Sequence, residues 1–219
     1  MTAKELLSNE IIPARTSDKG EDILSVMHLF HVRHIPIVNN LELLGLLSES
    51  DIVTHDPSEP VGSYSLSLFR PYCFENEHVF DIMGQLSRFD LTLIPVIDIS
   101  HKYLGVITME ALIHYFADSF AFSENGSVLT IESNEMNYSM SEICRTVESE
   151  GVSILSTFIN KVPDSTRVQI TVKTNATDNF RIKQNLERFG YDVLVTVGQD
   201  EYADSLKERF DSLMAYLNV

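Results

Sequence analysis

A segment of about sixty residues occurs twice near the start of this chain. Asp22-Ile23 recurs as Asp81-Ile82, Met27 as Leu86, Phe30 as Phe89, and Ile35-Pro36-Ile37-Val38 as Ile94-Pro95-Val96-Ile97, each at a spacing of 59. Leu44-Gly45 recurs as Leu104-Gly105 at a spacing of 60, so one residue has been added in the turn between. A register that survives a helix and a strand and slips only in a turn is what a duplicated fold produces. Neither copy is large enough to bury its apolar face alone, so the two must pack on each other.

Each copy reads helix, strand, strand, helix. In the first, Asp18 and Glu21 have the spacing of a capping box. Ile23, Val26, Met27 and Phe30 follow with helical spacing. A short apolar strand (35–38), a polar turn at Asn39-Asn40, a strand over 43–47 and a helix from about Ser50 complete the unit. The second copy repeats this with Val79, Ile82, Met83 and Leu86, strands over 93–97 and 103–107, and a helix from about Met109.

After Ser119–Gly126 the pattern changes. Val128–Ile131 predicts a strand, and Ser139 with Glu142 a second capping box. Met140, Ile143, Cys144 and Val147 make a helical stripe stopped by Gly151. A β-branched run over 152–159, a turn at 163–165, alternating Val168, Ile170 and Val172, and a helix through Ile182, Leu186 and Phe189 up to Gly190 come next. Val193, Val195 and Val197 end the series, and the order βαββαβ is a ferredoxin-like plan. The expected fold class is therefore α/β tandem repeats followed by an α+β unit. Leu206, Phe210, Leu213, Met214 and Leu217 predict a closing amphipathic helix over 199–219.

The formal net charge of −16, with 16 scattered basic residues, argues against nucleic-acid binding. Any anionic ligand must find its positive potential locally. No stretch approaches the roughly 20 apolar residues of a membrane span, and no signal peptide is visible. With only Cys73 and Cys144, far apart, a reducing compartment is expected and the cytoplasm is the default. His28, His31 and His34 form an H-x-x-H-x-x-H run, but His34 falls past the helix end and nothing completes a ligand set, so no metal is expected. No nucleophile–base order, P-loop or G-x-G-x-x-G is present, and an enzyme is not expected.

Ser48 and Asp51 stand three apart at a helix start, so both face one side. Such a pair is a cap favoured by the helix dipole, or a carboxylate and hydroxyl that take the hydroxyls and phosphate of a nucleotide. His34-Ile-Pro-Ile-Val-Asn39 followed by Leu44-Gly-Leu-Leu-Ser-Glu-Ser-Asp-Ile52, with counterparts Leu93–Asp98 and Leu104–Leu112, resembles a pair of cystathionine-β-synthase (CBS) repeats, a Bateman module, over about 1–120 (repeats 1–58 and 59–120). The resemblance implies a regulatory protein that binds an adenine nucleotide (AMP, ADP or ATP) or S-adenosylmethionine. It implies ribose and phosphate contacts at Asp51 and Ser48, backbone contacts to the adenine from the Ile12–Thr16 strand, which holds Ala14 and Arg15, and further ligand contacts at Ile35 and Pro36. Arg15, Arg33 and His34 are the nearest candidate phosphate partners. In the second copy Thr108 keeps the hydroxyl but Ala111 replaces the carboxylate, so one competent site is expected.

A βαββαβ unit after such a pair resembles the ACT domain, here over 127–198, and the whole chain resembles CBS–ACT proteins of the acetoin-utilisation-protein-B type. ACT sites place a glycine in the first strand-to-helix loop, whereas the loop here, Ser133–Ser139, has none. Packing or dimerisation is the expected role of that unit. Alternatives are an amino-acid sensor acting through it, or a ligand-free scaffold. The expected partners are the nucleotide, a second copy in a homodimer, and an unknown regulated protein.

Overall fold

Each of the two repeated strand pairs carries the same irregularity. β1 (His34–Asn39) pairs antiparallel with β2 (Glu42–Ser48), slipping register between Ile37 and Val38. β4 (Leu93–Ile97) pairs with β5 (Tyr103–Thr108), slipping between Val96 and Ile97. These are the same position of the duplicated fold. An edge strand adds in parallel to each: Ala14 opposite Ile37, and Cys73, in β3 (Cys73–Phe74), opposite Val96. The Asn39-Asn40 turn closes through left-handed Asn40 and Leu41, at φ 47 and 72°.

The computed structural model describes residues 1–64 and 68–197, and the helix expected over 199–219 lies outside them. The chain divides into two compact units, Met1–Phe116 and Ala117–Val219. In the first unit the strands are accompanied by α1 (Ala3–Leu6), α2 (Gly20–Leu29), α3 (Glu49–Val53), α4 (Val79–Arg88) and, as far as Phe116, α5 (Met109–Ser119). Met27, Leu47 and Ile52 of the first copy and Ile82, Leu86, Leu93, Ile107 and Leu112 of the second are fully buried in one shared core. Each such aliphatic side chain contributes roughly 1.5–3 kcal/mol, which explains why the copies hold together.

The repeats exchange their flanking segments. Ser8 pairs with Val106 of β5 through two main-chain bonds of 2.9 and 3.0 Å, and the Ala3 N–H donates to the Glu77 carbonyl. Conversely, the Leu46 N–H of β2 donates to the Phe69 carbonyl at 2.8 Å. These crossings explain both repeated glycines. A Cβ on Gly45 would lie 2.6 Å from Leu68 Cβ, and one on Gly105 2.6 Å from the Ser8 carbonyl oxygen. No side chain fits between strands at that approach.

Two capping expectations are corrected. α2 is capped by Lys19, because the Asp18 carboxylate is taken by the Arg15 N–H at 2.8 Å, closing the preceding turn. The helix Met140–Glu148 (α6) does begin after Ser139, whose hydroxyl accepts the Glu142 N–H at 3.4 Å, but the Glu142 carboxylate turns to the Tyr191 hydroxyl instead of returning to Ser139.

The second unit runs β6 (Ser127–Asn134), α6 (Met140–Glu148), β7 (Ile154–Lys161), β8 (Arg167–Thr174), α7 (Phe180–Arg188) and β9 (Asp192–Val197). Its sheet is ordered β7-β8-β6-β9, with every neighbour antiparallel. Alternating Val168, Ile170 and Val172 meet Ile143 and Val147 of α6 and Ile182 and Leu186 of α7 in its core. Gly151 and Gly190 end the two helices at φ 73 and 84°, where a Cβ would meet nothing, so the left-handed backbone rather than space selects glycine.

Candidate functional site

β2 ends at Ser48, which is still extended, at φ −93° and ψ 158°, and caps α3. Its hydroxyl accepts the Asp51 N–H at 3.1 Å, and Asp51 Oδ2 accepts the Ser48 N–H at 2.9 Å. The hydroxyl also donates to Oδ2 at 2.6 Å, which fixes the carboxylate against the strand end. All three bonds use one face of the pair, and Asp51 Oδ1 makes no hydrogen bond within the described residues.

Opposite Ser48 in the ladder stands His34, and the Glu49 N–H donates to the Arg33 carbonyl at 2.9 Å. His34 Nδ1 lies 3.1 Å from the Thr92 hydroxyl, which itself accepts the Arg33 N–H at 2.9 Å. Burial lowers the imidazole pKa, the Arg33 charge lowers it further, and Asp90 and Asp51 oppose them. The ring is therefore neutral at pH 7. The Arg33 guanidinium reaches Asp90 at 3.2 Å, and Glu49 lies 3.4 Å from His28. Arg33, His34, Ser48, Glu49, Ser50, Phe89 and Asp90 enclose a cavity of about 310 Å³, within the range of small-molecule sites.

The second copy repeats the frame without the chemistry. The Thr108 hydroxyl accepts the Ala111 N–H at 3.1 Å, and the Met109 N–H donates to the Thr92 carbonyl at 2.9 Å. Yet the positions of Arg33, His34, Glu49 and Asp51 are occupied by Thr92, Leu93, Met109 and Ala111. Thr108 is thus a half-made cap with no carboxylate beside it.

Of the remaining residues singled out in the sequence, Ala14, Ile35 and Pro36 are buried. The Ala14 N–H donates to the Pro36 carbonyl and its carbonyl accepts the Val38 N–H, both at 2.9 Å, so its main chain is committed to the sheet. Arg15 borders a separate cavity of about 490 Å³ with Val38–Leu41, at the opposite end of β1 from Arg33. The two arginines are therefore not brought together. Among the described residues no cluster of His, Cys, Asp and Glu is placed to hold a metal ion. Phe89 and Asp90 were not legible as site residues. They come from the end of α4, and only the fold of one copy over the other brings them to Ser48.

The first unit is a duplicated α/β module with one polar and one apolar version of the same helix-start cleft. Residues 3–58 and 69–118 each match the family described as CBS domain, and this part of the chain is a CBS domain pair. Among solved structures, a CBS domain pair/ACT domain protein from Thermotoga maritima gives a TM-score of 0.48 at 13% identity, covering 54% of this chain and 98% of that one. The CBS domains of a transcriptional regulator from Streptococcus pneumoniae give 0.46 at 18%, covering 52% and 98%. A CBS domain pair in complex with 5′-methylthioadenosine and S-adenosyl-L-methionine gives 0.45 at 20%, covering 54% and 97%.

Proposed function

We propose that this chain is a non-catalytic regulatory protein that binds one adenine nucleotide or adenosyl ligand per chain, in the cleft between Asp51, Ser48 and the Arg33–His34 corner. The observation that carries this reading is the Asp51 carboxylate, clamped through Oδ2 with Oδ1 unengaged. A carboxylate so held can accept ribose hydroxyls without losing rotamer freedom on binding. Ala111 removes that acceptor from the second copy, which is why one site is expected. Titration calorimetry with AMP, ADP, ATP and S-adenosylmethionine should find a single site, weakened by Asp51→Asn. Absence of binding by all four would favour a ligand-free scaffold.

We read residues 127–198 as an ACT-like unit used for packing or pairing. Four main-chain donors of its first loop are engaged: Glu135 to the Thr166 carbonyl at 2.9 Å, Met136 to Asn134 Oδ1 at 3.0 Å, Asn137 to the Asn134 carbonyl at 3.0 Å and Ser139 to the Tyr191 hydroxyl at 3.2 Å. Little is left there to hold an amino-acid carboxylate. We also hold the chain to be a cytoplasmic homodimer acting on a partner protein. A monomer in sedimentation at micromolar concentration would remove the dimer from this reading.

A further inference from the structure

We infer that the Ser48–Asp51 cleft selects adenosyl ligands that are neutral or cationic on the 5′ side over those carrying phosphates. This rests on the proposed binding reading and adds to it the class of ligand. The cleft is lined by one guanidinium, Arg33, against the carboxylates of Glu49 and Asp90, and Asp51 is bonded to its Ser48 wall at 2.6 Å. Arg33 is already within 3.2 Å of Asp90, and no lysine lines the cavity. His34 supplies no compensating charge, because burial and Arg33 both hold it neutral. The local balance is therefore negative, in a protein whose net charge is −16. A polyphosphate entering here meets the carboxylates of Glu49 and Asp90, with Asp51 bonded to Ser48 beside them, and a single, shared cation to receive it.

The apolar side of the cleft points the same way. Phe89, which borders the cavity, is 41% exposed, and its ring meets that of Phe69 at 65° with 5.0 Å between centroids. An aromatic ring left partly uncovered is a group against which a sulfonium or ammonium rests favourably. With carboxylates beside it, that ring is suited to a thioether or sulfonium substituent.

The test compares 5′-methylthioadenosine as the neutral reference with S-adenosylmethionine, AMP and ATP, by calorimetry on the full chain at low and moderate salt. S-adenosylmethionine should bind at least as tightly as 5′-methylthioadenosine. ATP should bind at least about tenfold more weakly than the reference, with AMP between. Added salt should narrow the gap from both sides, because it screens attraction and repulsion alike. Asp90→Lys, at an exposed position, should raise ATP affinity by about tenfold and lower that of S-adenosylmethionine. AMP or ATP binding more tightly than 5′-methylthioadenosine, with that binding lost in Asp51→Asn, would overturn the charge inference and leave the proposed site standing. Binding by none of the four compounds, or binding indifferent to Asp51→Asn, would overturn the site and the inference together.

Discussion

Asp51 Oδ2 lies 2.6 Å from the Ser48 hydroxyl and 2.9 Å from the Ser48 N–H, so one carboxylate oxygen closes the turn into α3 while its twin is left over. Capping and binding can therefore be separated by substitution. Asp51→Ala should lose half of the capping box, about 0.5–1 kcal/mol of stability, and weaken nucleoside binding ten- to hundredfold through loss of a charge-assisted hydrogen bond. Asp51→Asn keeps an acceptor for the Ser48 N–H and should melt near the wild type while still binding poorly. Changing Ala111 to glycine or serine should leave the stoichiometry at one. Calorimetry paired with thermal melting checks all of these, and a second equivalent bound per chain would contradict them.

Gly45→Ala and Gly105→Ala should each destabilise the first unit by about 1–3 kcal/mol, because the added methyl meets atoms at 2.6 Å in both places. Gly105→Ala should be the worse, since three atoms stand within 3.0 Å of its new methyl, the Ser8 carbonyl oxygen among them, whereas at Gly45 the closest approach is to Leu68 Cβ, with the Phe69 carbonyl oxygen at 3.0 Å. Gly84, inside α4 with nothing within 4 Å of a new Cβ, is the control. Gly84→Ala should stabilise by about 0.5–1 kcal/mol. Urea titrations followed by circular dichroism would rank the three.

In the second unit the Tyr191 hydroxyl accepts the Ser139 N–H at 3.2 Å and donates to Glu142 Oε2 at 2.7 Å. It bridges the two residues that would otherwise complete a capping box. Tyr191→Phe should lower stability by about 1–2 kcal/mol, since it leaves a main-chain donor and a carboxylate unpaired at the start of α6. Amide exchange at Glu142 and Ile143 should quicken in the variant. Unchanged exchange would mean that the bridge does not hold the helix start.

Burial pushes the Cys73 thiol up to about 12 from an ordinary 9, with Glu77 adding to the effect. A group whose folded pKa is raised contributes stability that is whole below the unfolded value and lost as pH climbs toward the folded one. Stability should therefore fall between about pH 9 and 12, with Cys73 contributing a slope of up to about 1.4 kcal/mol per pH unit. Cys73→Ala should flatten that slope, although it leaves a cavity in the core. At pH 8 a thiol reagent should label the half-buried Cys144 readily and Cys73 only on unfolding.

Periodicity carried the repeats well. Leu93–Ile97 was legible to the residue, and Gly151 and Gly190 announced their helix ends, because these features are decided by neighbours in sequence. β7 begins at Ile154 rather than Val152, a boundary that β propensity alone does not mark. Asp18 resembled a cap by spacing, but the local turn with Arg15 offered its carboxylate a nearer donor. The candidate cleft was half legible. Ser48, Asp51, Arg33 and His34 were visible because they flank one strand pair, whereas Phe89 and Asp90 belong to a helix end about forty residues later. Arg15 looked equivalent to Arg33 in sequence and proved to lie at the other end of β1.

The crossing of Ser8 onto β5 has a consequence for how this protein is made. During synthesis the partner of Ser8, Val106, emerges almost a hundred residues after it. The Phe69 segment likewise must be present before β2 has its edge covered. Neither repeat is a contiguous piece of chain that a ribosome could release already finished. The pair should therefore fold late and in one cooperative step, at the slower pace set by distant pairings. Its nascent first half, with an uncovered strand edge at Leu46, is the stage at which a chaperone has something to hold.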